Sequence, residues 1–371
     1  MKKILFITNK APHYRIPLFN ELAKKLNIKF IFTHENKKIP GLKADYELIK
    51  GIGYKKYKIH PGLIKIIKEY KPSKVVLLPP DPLHLIDNVI LSRFLMKNKI
   101  PYVLYAGAWE YKEKLLRHKI NERLILKILK NAEKCLAYGT RTERWLLKLG
   151  VKKNKIIKVY NINPNIYLNL KKSKRKLKKF KNKLVILYVG RIIKRKGINY
   201  LINAFSQIKE KNTVLVIVGG GDFYNLGEKS LEKSLKKKVK IFEKEKRVFF
   251  EGEKKPEEIQ KYYLSSDIFV IPSITKKIGE PWGHVVEEAL SFGLPIITTD
   301  AVGATEDLIK DGGNGFIVPE KNSEKLKEAI EKLIKNKKMR EIMGKESLRI
   351  IKQKKFSFEE ILKEWVKVLE K

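Results

Sequence analysis

The chain has 371 residues, 43% of them hydrophobic, and carries 82 Lys and Arg against 40 Asp and Glu, a formal charge of +42. That length and apolar content support two domains with cores of their own, and the one cysteine, Cys135, excludes an internal disulfide framework and a cysteine-based zinc site. No run of about 18 apolar residues reads as a membrane span, and no two histidines stand at metal-ligand spacing.

So basic a surface favours anions: nucleic acid, anionic lipid or phosphorylated substrates. Lys is spread along the chain among Ile and Glu, which equally fits a lysine-rich thermophile composition. Residues 1–170 hold 36 Lys and Arg against 12 Asp and Glu, a surplus of 24, and the other 201 residues have a surplus of 18. The denser charge of the first part is compatible with docking on anionic lipid, worth about 1 kcal/mol per basic residue near the surface.

The N-terminal MKKILFITNK has too short an apolar stretch for a signal-peptide core and predicts a first buried strand, Ile4–Thr8. A cytoplasmic protein follows, one that can rest on the inner face of a membrane. Helix is predicted over Pro17–Leu26, then strand over Lys29–Thr33, helix over Leu63–Tyr70 and strand over Val75–Leu78. Helix Leu85–Lys97, strand Tyr102–Tyr105, helix Arg117–Lys130, strand Cys135–Tyr138, helix Thr140–Leu149 and strand Ile156–Val159 complete the first half. Such alternation implies right-handed βαβ units and a parallel, doubly wound sheet.

Residues 171–183, KKSKRKLKKFKNK, are nine-thirteenths basic with no acid and read as an exposed linker or domain edge. The alternation then restarts with strand Leu184–Val189, helix Ile198–Ile208, strand Val214–Val218, helix Leu231–Phe242 and strand Val248–Glu251. Helix Pro256–Ser265, strand Ile268–Ile271, a helix from Trp282–Gly283, strand Pro295–Thr299, short helix Ala304–Ile309 and strand Gly315–Val318 follow, before the long closing helices. Two doubly wound domains are expected, 1–165 and 166–355, with a cleft at the strand C-termini. The helix 356–371 is expected to pack back on the first, through Phe358, Ile361, Leu362, Trp365 and Leu369; a membrane-facing stripe is the other use of such a face.

The segment Ile271–Asp300 is the most informative. Glu280 precedes a helix start and Glu288 lies inside that helix. A helix start binds anions, because its amides and macrodipole act together. A phosphate position with a carboxylate on either side suits a sugar nucleotide. Glu287 is expected to be solvated. Upstream, Gly190 ends a strand, Arg191 follows at once, and Lys196–Gly197 lead into a helix. Arg gives a bidentate grip on phosphate and Lys a point charge, stabilising a diphosphate leaving group as charge develops.

Gly219–Gly221, after an apolar strand, permit a tight turn or close backbone approach to a ligand; no dinucleotide fingerprint or P-loop is present. Ala301–Asp307, with Gly303 and Glu306, reads as a cleft loop. In the first half, His13, Tyr14 and Arg15 follow the first strand, Asp81 and His84 another, and Trp109 and Glu110 a third. Any of these could touch an acceptor, or be ordinary surface residues.

These pieces resemble the glycosyltransferases of family 4 (group 1), in VGRIIKRKG, FFEG, SITKKIGEPWGHVVEEALSFGLPIITTD and AVGATEDLIKDGGNGFIVP. The likeness covers most of 184–320 and is less marked in the first domain, where PHYRIPLFNEL and the KVYN segment carry it. It implies the GT-B fold, two facing Rossmann-like domains with a cleft, and a retaining hexosyl transfer from a nucleotide diphosphate sugar without a metal or other cofactor. The resemblance gives Arg191 and Lys196 the diphosphate and Glu288 the nucleotide ribose. Glu280, Gly283, His284 and Val285 would face the donor sugar, with Gly190 and Gly220 beside the donor. The leaving phosphate would assist deprotonation of a glycan or lipid-linked acceptor, with no carboxylate pair flanking the bond as in glycosidases. Many family members carry a histidine after the strand that here ends at Tyr105; AGAWE stands there instead, with Glu110 as the substitute. A sugar-nucleotide epimerase of similar fold and a basic nucleic-acid-binding protein are the alternatives. The second would account for the charge but not for Glu280, Glu288, Arg191 and Lys196.

Overall fold

In the computed structural model the chain forms two compact units, Met1–Asn165 with Lys354–Lys371, and Ile166–Gln353. Structure is described for residues 1–35, 37–54, 57–77, 84–107, 116–163, 176–221, 226–240, 247–275 and 280–371.

The first unit runs β1 (Lys3–Thr8), α1 (Ile16–Lys25), β2 (Asn27–Phe32), β3 (Tyr46–Leu48), β4 (Ile52–Tyr54), β5 (Tyr57–Ile59), α2 (Gly62–Tyr70) and β6 (Lys74–Leu77). It continues through α3 (Leu85–Lys97), β7 (Tyr102–Ala106), α4 (Leu116–Asn131), β8 (Lys134–Ala137), α5 (Thr140–Lys148) and β9 (Ile156–Lys158). Its sheet has the order β3-β2-β1-β6-β7-β8-β9, every pair parallel. The chain winds one way from β1 to β3 and resumes on the other side of β1 with β6, so the order reverses beside β1. Strands covered on both faces read as unbroken apolar runs, which is why β1, β6 and β7 are plain in the sequence.

The strand β3 and the antiparallel hairpin β4–β5 are absent from the sequence reading. All three elements are three residues long, and no residue of β3 is fully buried. A half-exposed edge strand carries no hydrophobic period to find.

The C-terminal helix, Phe358–Glu370, belongs to this first unit. Ser357 caps its start by accepting from the Glu360 amide at 3.2 Å. Ile361, Leu362, Trp365, Val368 and Leu369 are buried, so the apolar face serves the core. Trp365 is fully buried, its ring 5.6 Å from Phe6 and 4.7 Å from Tyr105. The last turn of a helix leaves carbonyls without internal partners. Here Lys74 Nζ donates to the Val368 carbonyl at 3.1 Å, and Lys2 Nζ to those of Glu370 and Lys371 at 3.0 Å. Ammonium groups at this end also complement the helix dipole.

The second unit comprises β10 (Leu184–Val189), α6 (Ile198–Ser206), β11 (Thr213–Val218), α7 (Leu226–Lys238), β12 (Val248–Gly252), α8 (Pro256–Leu264) and β13 (Ile268–Ile271). Then come α9 (His284–Ser291), β14 (Ile296–Thr299), α10 (Thr305–Leu308), β15 (Gly315–Val318), α11 (Ser323–Lys335) and α12 (Lys337–Ile351). Its strands lie in the order β12-β11-β10-β13-β14-β15, again all parallel.

One expectation needs correcting. Helix α7 begins at Leu226, earlier than the predicted Leu231; a glycine in the first turn, here Gly227, is tolerated. The basic run 171–183, read as an exposed linker or domain edge, is mostly exposed where it is described and lies against the edge strand β12, with more anchoring than its charges suggest. Phe180 is fully buried against Phe249, ring centroids 5.3 Å apart. Lys176 pairs with Asp267 at 2.6 Å and Lys179 with Glu251 at 2.5 Å. Counting charges hid one aromatic anchor and two acidic partners more than 70 residues downstream.

Truncating Trp365 to Ala removes the largest fully buried side chain among the described residues of the first unit. Urea unfolding is expected to show a loss of about 3–5 kcal/mol; a change below about 1 kcal/mol would mean that the helix is a loose appendage.

Candidate functional site

The candidate site is built in the second unit from three turns at strand C-termini. After β10 the Gly190 amide donates to the Val218 carbonyl at 2.9 Å and the Ile192 amide to the Gly220 carbonyl at 2.7 Å. Gly220 therefore anchors the Arg191 turn through its backbone. A single 3₁₀ turn, Lys194–Lys196, leads to Gly197, which has φ 65° and precedes α6. A Cβ at Gly197 would fall 1.8 Å from the Pro272 carbonyl oxygen, so only glycine fits there. The Ile274 amide donates to the Arg195 carbonyl at 2.9 Å, lacing this turn to the segment after β13.

The third turn fixes Glu280. Its amide donates to the Ala301 carbonyl at 2.9 Å, and the Gly303 amide donates to its carbonyl at 2.8 Å. The carboxylate then meets the cations: Glu280 Oε2 accepts from Lys196 Nζ and from Arg195 Nη1, each at 2.7 Å. Burial opposes ionisation of Glu280, but Lys196 and Arg195 outweigh it and hold the carboxyl at about 2. Burial, with the like charges of Arg195 and Arg191, holds Lys196 below its ordinary value against the pull of Glu280. Arg191 is exposed and acts on both.

Gly283 takes φ 98° and starts α9, one residue before His284. Val285 lies in the first turn, whose amides the helix ladder does not use. Glu288 follows on the second turn, where Tyr263 Oη donates to its Oε2 at 2.9 Å. Tyr263 is buried and stacked flat on Phe292, centroids 5.1 Å apart. Burial pushes the Glu288 carboxyl up to about 7, Glu287 adds to the rise, and Tyr263 and His284 oppose it.

Glu287, expected from the sequence to be solvated, is not. It is fully buried, with Oε1 2.5 Å from His284 Nδ1. Helix α9 buries Val286, Glu287, Ala289, Leu290 and Ser291, which leaves it no broad wet face, and the residue three positions earlier supplies the partner.

The structure thus brings Lys196 and Glu280 into contact, with Arg191 beside them, and places Glu288, Gly283, His284 and Val285 at α9 of the same unit. Arg195 is the residue that the sequence reading missed. Adjacent to Lys196 in one 3₁₀ turn, it reaches the same carboxylate oxygen, but one more cation in so basic a chain has no distinguishing signal. His13 and Arg15 belong to the first unit: His13 is exposed, its ring edge-on to Tyr14 at 5.6 Å, and Arg15 donates to Tyr138 Oη. His84 is buried, edge-on to His34 at 5.1 Å. Asp81, Trp109 and Glu110 lie outside the described residues. Among the described residues no three His, Cys, Asp or Glu side chains converge to hold a metal ion, and no helix is long and apolar enough to cross a membrane.

Residues 170–349 match the family model of glycosyl transferases group 1. An uncharacterized glycosyltransferase of Haemophilus influenzae is 32% identical over 232 residues, 62% of this chain and 59% of that protein. Spore coat protein SA of Bacillus subtilis is 32% identical over 193 residues, 51% of this chain and 49% of that protein. The chain spans about half the length of these relatives. In fold it is similar to Anabaena HepE, solved with UDP, at a TM-score of 0.78, 19% identity and 99% of both chains. WaaG, a glycosyltransferase involved in lipopolysaccharide biosynthesis, gives 0.72 at 15% identity over 99% of both chains. The two parallel sheets with their helices are those of the GT-B fold.

Glu280→Gln leaves Lys196 and Arg195 without their shared anion, and a loss of about 3 kcal/mol is expected at pH 7. The folded-state pKa lies below the ordinary 4.5, so this contribution is present above pH 4.5 and is lost as pH falls toward about 2. Urea unfolding of both proteins at pH 7, 4 and 3 checks this; a gap that does not narrow toward pH 3 excludes the ion pair as its source.

Proposed function

We propose that this chain, whose residues 170–349 match group 1 glycosyl transferases, is a retaining hexosyltransferase. It moves a sugar from a nucleotide diphosphate sugar to a glycan or lipid-linked acceptor. The observation that carries the reading is the cluster of Lys196, Arg195 and Arg191 around Glu280, reached through three strand-end turns. It is a preorganised group of cations whose counter-ion is held in place, suited to a diphosphate that gains charge as it leaves. A solved structure of similar fold holding UDP-glucose supports a nucleotide sugar as donor.

In this reading Arg191 and Lys196 grip the diphosphate, and Arg195 shares Glu280 with Lys196. Glu280 stays ionised across the working range and so is no proton donor; it holds the two cations in position and faces the donor sugar with Gly283, His284 and Val285. As the bond from the sugar C1 to the phosphate oxygen breaks, its electron pair passes to the phosphate. The acceptor oxygen bonds to C1 on the same face and gives its proton to that phosphate. The cations supply the charge stabilisation, so transfer proceeds without a metal and EDTA leaves it unchanged. Glu288 accepts from the ribose hydroxyls, most strongly in its ionised form.

Calorimetry with UDP-, GDP- and ADP-sugars tests the donor site. One donor class is expected to bind, roughly tenfold or more weaker in Lys196→Ala and in Glu288→Ala. Because free Glu288 titrates at about 7, affinity is expected to rise from pH 6 to pH 8 in the parent and to be flat in Glu288→Ala. No donor binding by the folded protein would sink the reading.

The acceptor side extends to a surface. The charge surplus of residues 1–170 suits peripheral docking on anionic lipid. Sedimentation with phosphatidylserine vesicles is expected at low salt and to fail at high salt; no sedimentation at low salt removes this part of the proposal.

A further inference from the structure

The loop after β1 ends at Arg15, the residue before α1. Its guanidinium lies over the ring of Tyr105 at 5.0 Å and over that of Tyr138 at 5.5 Å, and Nη2 donates to Tyr138 Oη. Tyr105 comes from β7, donates to Asn161 Oδ1 at 3.1 Å, and is propped by Trp365. Tyr138 follows β8 and covers Gly107, where a Cβ would fall 2.4 Å from its Cε2. Residues at the ends of β7 and β8 therefore meet around a guanidinium carried by the loop from β1. They do so at the carboxyl edge of the sheet, with the loop issuing from β1 where the strand order reverses. Open α/β sheets bind ligands at such points.

This cluster, among the described residues, holds a cation and no anion. Among the described residues no carboxylate pairs with Arg15, and its buried Nε–H meets no acceptor. Burial pushes the Tyr105 phenol well above its ordinary value, so that ring brings no negative charge. A guanidinium stays charged at any working pH, and a half-buried charge without a counter-ion still carries a desolvation cost. Stacking on two tyrosines offsets part of that cost, but it satisfies the faces of the guanidinium and leaves the in-plane donors other than the Nη2 bond to Tyr138, Nε–H among them. Those donors form a fork that matches an oxyanion.

We propose that Arg15, framed by Tyr105 and Tyr138, binds an oxyanion on the sugar acceptor: the carboxylate of an acidic sugar or the phosphate of a phosphorylated one. The assignment to an acceptor rests on the transferase reading; the anion site itself does not.

The test is calorimetric titration of the full chain with glucuronate, glucose 1-phosphate and glucose, repeated in Lys196→Ala to remove phosphate binding by the second unit. Either acidic probe is expected to bind both proteins, with glucose weaker by roughly tenfold or more. Arg15→Gln is expected to lose that preference while leaving UDP binding unchanged. Binding of glucuronate alone assigns a carboxylate and of glucose 1-phosphate alone a phosphate. Equal affinity for glucose and the acids, an unchanged preference in Arg15→Gln, or no acidic probe bound by the parent overturns the site. Should Arg15→Gln fail to fold, Arg15→Lys keeps the charge and loses the fork, and full affinity there is equally fatal. Absence of UDP binding in the parent would end the transferase reading and leave the Arg15 result standing.

Discussion

A carboxylate buried beside two cations has one low-energy arrangement, and the loops of the second unit converge to produce it. Neither Lys196 nor Glu280 could be buried alone at tolerable cost. Together with Arg195 they form a compact ionic centre with hydrogen bonds of 2.7 Å. Its position depends on backbone contacts: the Gly197 turn against Pro272, the Arg195 carbonyl receiving the Ile274 amide, and Glu280 bonded on both sides to the segment after β14. The charges hold the turns together, and the turns hold the charges at the strand ends.

Glu288 shows the opposite logic eight residues later. It has a phenol for a partner instead of a cation, so burial prevails and its carboxyl titrates near neutrality. Two glutamates of one motif are thus tuned far apart, one ionised throughout and one poised. A pair separated in this way can divide its tasks, the first organising charge and the second adjusting its proton to a ligand.

The strands were legible because buried parallel strands are unbroken apolar runs, and Leu184–Val189 and Ile268–Ile271 have the same limits in sequence and structure. Glu280, Lys196 and Arg191 could be singled out because each stands just past a strand or just before a helix. What stayed hidden depended on partners distant in sequence. Glu287 looked like any helical glutamate until His284 and the surrounding core were in place. Phe180 was lost among lysines until Phe249 packed on it. Tyr138 looked like the last residue of a strand, and Arg15 like a loop cation, until the sheet brought them together.

The lysines that grip the end of the C-terminal helix have a consequence for the order of assembly. Lys2 bonds to the carbonyls of Glu370 and Lys371, contacts 368 and 369 residues apart, while the second unit is a single uninterrupted stretch, Ile166–Gln353. Contacts that distant are the slowest to close. During synthesis, then, the earlier half of the chain waits with the Trp365-facing sides of Phe6 and Tyr105 uncovered until that residue arrives, and the later half can finish first. Chaperones that shield nascent apolar surface would meet the beginning of this protein for longer than its middle.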